Sequence, residues 1–242
     1  MKHEPQLSPD RVDVWLIQVP ASVPATLQAA LSTAERKRAA RFVFEKDRST
    51  YLTGRGTLRH LLGGYLGIAT ELVEILEGPH GKPTLAPSHE SRIRFNLSHS
   101  GSLVLIALTL DHEVGVDIEH EHDHFDLLEL AETVFSPSER QRLADAAPAL
   151  HRTLFYRYWV AKEAYIKTMG GGLSIPLEAF SVAFDEADPD RRFTIVTREG
   201  TSPVHGAWLE APDGYAAAVA RTDPAWSVRT HPTGELPPLP DS

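Results

Sequence analysis

Three acidic residues and one lysine have the types and spacing to do chemistry. In GVDIE (residues 115–119), the period of a strand turns Gly115, Asp117 and Glu119 to one face and Val114, Val116 and Ile118 to the other. Asp117 and Glu119 would then stand roughly 6.6 Å apart, and at an effective dielectric near 20 their charges would repel by roughly 2.5 kcal/mol. Solvent would weaken that repulsion and a shared divalent cation would reverse it. Gly115, on the same face, is expected to leave room for a ligand to approach the backbone. The second stretch, WVAKEAYIK (159–167), reads as a helix with an apolar stripe through Phe155, Trp159, Lys162, Ile166 and Met169. Glu163 borders that stripe, where a carboxylate without a partner is costly. Lys167, four residues on, is oriented for an i,i+4 ion pair. Two readings stay open on spacing alone. One is a structural salt bridge. The other is a hard oxygen site in which Asp117, Glu119 and Glu163 hold Mg²⁺, a cation that commonly binds substrate phosphates, while Lys167 meets the remaining phosphate charge.

The elements that must position these residues follow from periodicity. VDVWLIQV (12–19) reads as a strand. LSTAERKRAARFVF (31–44) starts a helix, with Ser32 and Glu35 spaced as a capping box. DRSTYLTGRGTLRHLLGGYLG (47–67) is a second helix, and EGPHGKPTLAPSHES (77–91) a loop. Ile93, Phe95 and Leu97 then alternate with polar residues, the turn SHSGS follows, LVLIALTL (103–110) is a buried strand, and VGVDIE (114–119) returns. Three such strands joined by tight turns predict an antiparallel meander. Residues 126–170 are mostly helical, with a second capping box at Ser136–Glu139 and Pro137 at its first helical position. Gly170, Gly171 and Gly172 end the last helix. FSVAF, RFTIVT, HGAWLEA and YAAAVAR read as strands. The order implies an α+β architecture, divided as residues 1–112, residues 113–225 and a disordered tail at 226–242.

Composition bounds the function. With 24 Lys and Arg against 33 Asp and Glu, a net charge of −9 disfavours nucleic acid as a partner. No apolar run approaches the ~20 residues of a membrane span, so no membrane association is expected. The absence of cysteine excludes thiolate metal sites, and a cytoplasmic location is the default.

Taken together, GVDIE and WVAKEAYIK, 44 positions apart from Glu119 to Glu163, resemble the two signatures of the Sfp-type 4'-phosphopantetheinyl transferases. FNLSHSG (95–101) and GKP (81–83) match two further blocks of that family, and LSTAERKRAARF (31–42) is similar to its first helix. The resemblance implies two similar α+β halves in one chain, mainly antiparallel sheets with packed helices, and coenzyme A bound between the halves. It implies transfer of the 4'-phosphopantetheine arm of coenzyme A to a serine of an acyl or peptidyl carrier protein, with release of adenosine 3',5'-bisphosphate. It also implies Mg²⁺, with Mn²⁺ as an alternative, held by Asp117, Glu119 and Glu163. Glu163, or a water beside it, would take the serine proton. Lys167 would bind the diphosphate, and Lys82, Ser98 and His99 would contact coenzyme A, the latter two from the turn. Some members bind the 3'-phosphate through lysines of the first helix. Here Glu35 and Arg38 fall at those places, which makes Arg38, Arg41, Arg48 and Arg55 the candidates, Arg55 preferred. Larger members imply a monomer.

Other features compete with these. Ser98–His99 lacks the G-x-S-x-G elbow of a serine hydrolase. His120, His122 and His124 could bind Zn²⁺ or Ni²⁺, though a solvated loop is the simpler reading. Trp159 and Tyr165 read as core, and Phe135 as an interface residue for a carrier. The alternatives to an Mg²⁺-dependent transferase of this family are a non-catalytic module that binds carrier protein or coenzyme A, and another Mg²⁺-dependent phosphotransferase.

Overall fold

The computed structural model describes residues 7–78, 81–122 and 126–231. The chain divides into two compact units, Met1–Asp111 with Trp226–Ser242, and His112–Ala225.

The first unit opens with β1 (Arg11–Gln18), then α1 (Ala25–Ala29), α2 (Thr33–Ala39) and α3 (Glu45–Leu66). A short hairpin, β2 (Ile75–Glu77) and β3 (Pro83–Leu85), precedes β4 (Ile93–Ser100) and β5 (Leu103–Leu110). Ser32 caps α2 as its sequence predicts: its hydroxyl accepts from the Glu35 N–H at 3.2 Å, and the Glu35 carboxylate accepts from the Ser32 N–H at 2.8 Å. β5 is central and buried along most of its length, as a continuous apolar run should be. It pairs antiparallel with β4 on one side and β1 on the other. Leu58, Leu61 and Leu62 of α3 pack on Trp15, Phe95, Val104, Ile106 and Leu108 of this sheet. The fourth strand, β11 (Ser227–His231), runs parallel to β1. Residues 227–231 are therefore a strand, not part of a disordered tail. The His231 ring stacks on Trp15 at 3.8 Å and 3°, an aromatic contact the Pro-rich composition beyond it conceals.

The second unit contains β6 (Val114–His120), α4 (Leu127–Val134), α5 (Pro137–Asp145) and α6 (His151–Met169). Then come β7 (Ser181–Phe184), β8 (Arg192–Thr197), β9 (Gly200–Trp208) and β10 (Tyr215–Thr222). Its sheet has the order β6-β10-β9-β8-β7 and is antiparallel throughout. The expected three-strand meander is thus only a hairpin: β6 leaves β5 and pairs with β10 instead. The sharp turn at Asp111, at φ +65°, redirects the chain, and a tight turn alone does not say which sheet the next strand joins. α6 lies across β6 and β10. Phe155, Tyr158, Val160, Ala161 and Ile166 of α6 are buried in this unit's core. Met169, read as part of the apolar stripe, is exposed where the helix ends at Gly170, in the left-handed region at φ +67°.

Candidate active site

In the second unit the sequence-predicted acidic residues lie within electrostatic reach of one another. β6 carries Asp117, almost fully buried, and Glu119, partly exposed; α6 carries Glu163 and Lys167, both partly buried. Gly115 explains how helix and strand come this close. A Cβ there would stand 2.2 Å from the Ala164 carbonyl oxygen and 2.5 Å from the Thr168 nitrogen. The space beside Gly115 is therefore filled by α6, not left for a ligand. Thr168 fastens the same seam, its hydroxyl donating to the carbonyls of Ala164 at 2.8 Å and Ala220 at 3.0 Å.

Lys167 does not simply serve its own helix. Its Nζ donates to Asp117 Oδ1 at 2.6 Å, across to the strand. Glu163 is electrostatically embedded in the same group. Burial pushes its carboxyl above the ordinary value, Asp117 and Glu119 push it further, and only Lys167 opposes them. Three carboxylates and no softer donor suit a hard cation such as Mg²⁺, and a cation is what would relieve the mutual repulsion recorded at Glu163. The donor set thus fits the metal in its chemistry. In the arrangement described, among the described residues, no three His, Asp or Glu side chains are gathered tightly enough to hold a metal ion, and the Asp117 carboxylate rests on the Lys167 ammonium.

α6 itself also carries a buried charged residue whose partner the sequence does not reveal. Lys162 is fully buried, with Nζ 2.8 Å from Glu139 Oε2. It also donates to the carbonyls of Leu177 and Phe180 at 2.8 and 2.7 Å, and lies 4.3 Å from the Phe180 ring centroid. Glu139 in turn accepts from the backbone N–H groups of Ser136 and Val182, each at 2.8 Å. The capping box expected at Ser136–Glu139 is present, and its carboxylate also neutralises a lysine 23 positions on. Phe135 is buried against Phe155 and Tyr158, with ring centroids 5.0 and 5.5 Å away, so it is a core residue and offers no carrier-docking surface. The rings of His120 and His122 meet edge to face at 4.7 Å, and His120 also meets Tyr215 at 4.8 Å. His124 lies outside the described residues.

The remaining predicted site residues belong to the first unit. A cleft of about 880 Å³ is lined by residues that include Glu35, Lys37, Arg38, Arg41, Tyr51 and Arg55. Arg55, the preferred phosphate ligand, is already paired: its guanidinium lies 2.7 Å from Glu35 Oε1. Arg59, buried, donates to Glu35 Oε2 at 2.5 Å and to the Val73 carbonyl at 2.7 Å. Burial pushes the Glu35 carboxyl up, but Arg55, the Ser32 N–H and Arg59 outweigh it and hold the group below its ordinary value. Glu35 therefore turns into the fold, toward Arg55 and Arg59. Arg38 is more exposed, paired with Glu77 at 2.9 Å and 5.5 Å from the Tyr51 ring centroid. Arg48 pairs with Glu45 at 3.4 Å on the surface of α3. Ser98 and His99 lie within β4, not in the turn after it; Ser98 is buried and His99 exposed. Lys82 immediately precedes β3, and its carbonyl accepts from the Gly78 N–H at 2.8 Å.

Both units find relatives. The profile of the 4'-phosphopantetheinyl transferase superfamily matches residues 113–220, and that of the 4'-phosphopantetheinyl transferase N-terminal region matches residues 22–110. The 4'-phosphopantetheinyl transferase HetI of Nostoc sp. strain PCC 7120 is 36% identical over 227 residues, covering 91% of each chain. The 4'-phosphopantetheinyl transferase Sfp of Bacillus subtilis strain 168 is 29% identical over 194 residues, 80% of this chain and 83% of that one. The chain belongs to the 4'-phosphopantetheinyl transferase superfamily, a family of transferases. No helix among the described residues is long and apolar enough to cross a membrane.

Proposed function

We propose that this chain moves the 4'-phosphopantetheine arm of coenzyme A onto a serine hydroxyl of an apo acyl or peptidyl carrier protein. The serine oxygen forms a bond to the phosphorus that carries the pantetheine arm. The bond from that phosphorus to the bridging oxygen breaks, and adenosine 3',5'-bisphosphate leaves. The observation that carries the reading is the meeting of Asp117, Glu163 and Lys167 on β6 and α6, within electrostatic reach of Glu119.

Asp117, Glu119 and Glu163 would hold Mg²⁺, or Mn²⁺ in its place. Bound there, the ion would act as a Lewis acid on the diphosphate oxygens and as a template for the donor. Glu163 accepts the serine proton. Lys167 directs its ammonium at the diphosphate and stabilises the leaving oxygen. In the first unit, Arg38 and Arg41 at the cleft are the cations for the 3'-phosphate. An exposed ion pair such as Arg38–Glu77 is worth about 0–1 kcal/mol and is readily exchanged for a phosphate, whereas Arg55 is committed to buried Glu35. Lys82, Ser98 and His99 complete the coenzyme A contacts. The chain acts in the cytoplasm as a monomer, with no nucleic acid or membrane partner.

The test is incubation of the folded protein with coenzyme A, Mg²⁺ and a panel of apo-carrier proteins, read by mass spectrometry. The expected result is addition of the phosphopantetheine arm to at least one carrier. A folded protein that modifies none of them overturns the proposal.

A further inference from the structure

The Lys167–Asp117 pair has a consequence for how the metal enters. Asp117 is almost fully buried, its side chain 3% exposed, and the cation nearest its Oδ1 is the Lys167 ammonium at 2.6 Å. Its strand packs directly on α6 two residues earlier, at Gly115. Lys167 differs in freedom. Its side chain is 28% exposed, and its four-carbon stem lets the head group swing while the helix stays still. An ammonium seated on Asp117 and a divalent cation bound to the same carboxylate repel each other at close range.

We infer that Lys167 is a placeholder cation. It occupies the Asp117 carboxylate in the free protein, must leave before a divalent ion can be held there, and is drawn off by the diphosphate of the donor. The inference rests on the magnesium reading above. Under it, Lys167 has two partners in sequence, first Asp117 and then the diphosphate, and the free protein binds metal weakly. Metal and donor each raise the affinity for the other, because each removes what opposes its companion, and that coupling is reciprocal. Lys167 thus neutralises the buried Asp117 carboxylate in the free protein, and the divalent ion takes over that task in the loaded one.

The experiment measures Mn²⁺ binding by electron paramagnetic resonance, with no carrier present and no turnover. Wild type, Lys167→Met and Lys167→Gln are titrated with Mn²⁺ alone and again with coenzyme A, and circular dichroism verifies each fold. Expected is Mn²⁺ affinity about tenfold or more higher in both variants than in wild type when coenzyme A is absent. The gap should narrow when it is present. Equal or weaker Mn²⁺ binding by the two variants, with wild type binding measurably in the presence of coenzyme A, overturns the placeholder and leaves the magnesium site standing. Failure of all three proteins to bind Mn²⁺ under either condition overturns both.

Discussion

Glu163 and Glu35 are both largely buried acids, and their surroundings send them opposite ways. Glu35 has two guanidinium partners and a capped backbone; Glu163 has two carboxylate neighbours and one shared lysine. A fold built only for stability would not keep Glu163. Its folded-state value is raised, so its contribution to stability is fully present below the ordinary value of 4.5 and is lost as pH rises through the higher folded value. At neutral pH the charge is therefore a burden. Glu163→Gln should raise the thermal midpoint at pH 7 in the presence of a chelator, and the gain over wild type should vanish below pH 4.5. Each kcal/mol recovered moves the midpoint about 2–4 °C in a chain of this size, within reach of scanning calorimetry. The same variant should show no transfer. A midpoint that falls at pH 7 would mean that the carboxylate is held by partners that favour its charge. Strand and helix periods are enough to read the face on which each of Asp117, Glu119 and Glu163 stands. The partner of Lys167 cannot be read from them, since i,i+4 spacing sees only its own helix and Asp117 lies 50 residues away.

Helix α6 is held by different chemistry on two sides: toward β6 by backbone approach at Gly115, and toward α5 and β7 by the buried Lys162–Glu139 pair. Lys162→Ala should cost about 3–5 kcal/mol in urea unfolding, the usual penalty for stranding one member of a buried ion pair. Lys162→Met with Glu139→Leu should recover part of that loss, because the charges leave together. The backbone N–H groups of Ser136 and Val182 would still lack their acceptor and limit the recovery. A single variant within 1 kcal/mol of wild type, a bound set about threefold below the penalty just named, would show the pair to be dispensable. At this scale the sequence was readable wherever local chemistry decides, as at the two capping boxes and the glycine stop after Met169. It was unreadable where a residue's environment comes from elsewhere in the chain. Helical spacing puts Lys162 on an apolar stripe but cannot reveal its counter-ion, and the tight turn before β6 does not say which sheet that strand joins.

Across the whole molecule the chain passes from the first unit to the second and back again, ending the first unit's sheet with its last described strand. Five residue pairs join β11 to β1, from Arg11 with Ser227 to Trp15 with His231. Deleting residues 227–242 removes these pairs, at about 0.2–1 kcal/mol each, and unstacks His231 from Trp15. The expected result is a loss of roughly 1–5 kcal/mol in denaturant unfolding, accompanied by a change in tryptophan fluorescence. A truncated chain as stable as the full one would show that β11 contributes nothing. The order of elements implies only an α+β architecture, the two halves come from the family resemblance, and the return of the chain is hidden, since five residues of strand beside a proline-rich end look like the start of a tail. That return also sets a timetable at the ribosome. After β5 has emerged, roughly a hundred residues must still be translated before β11 appears, which at about 5–20 residues per second takes roughly 5–20 s. For that interval the nascent chain carries β1 with one flank unpaired, an edge on which another strand could settle.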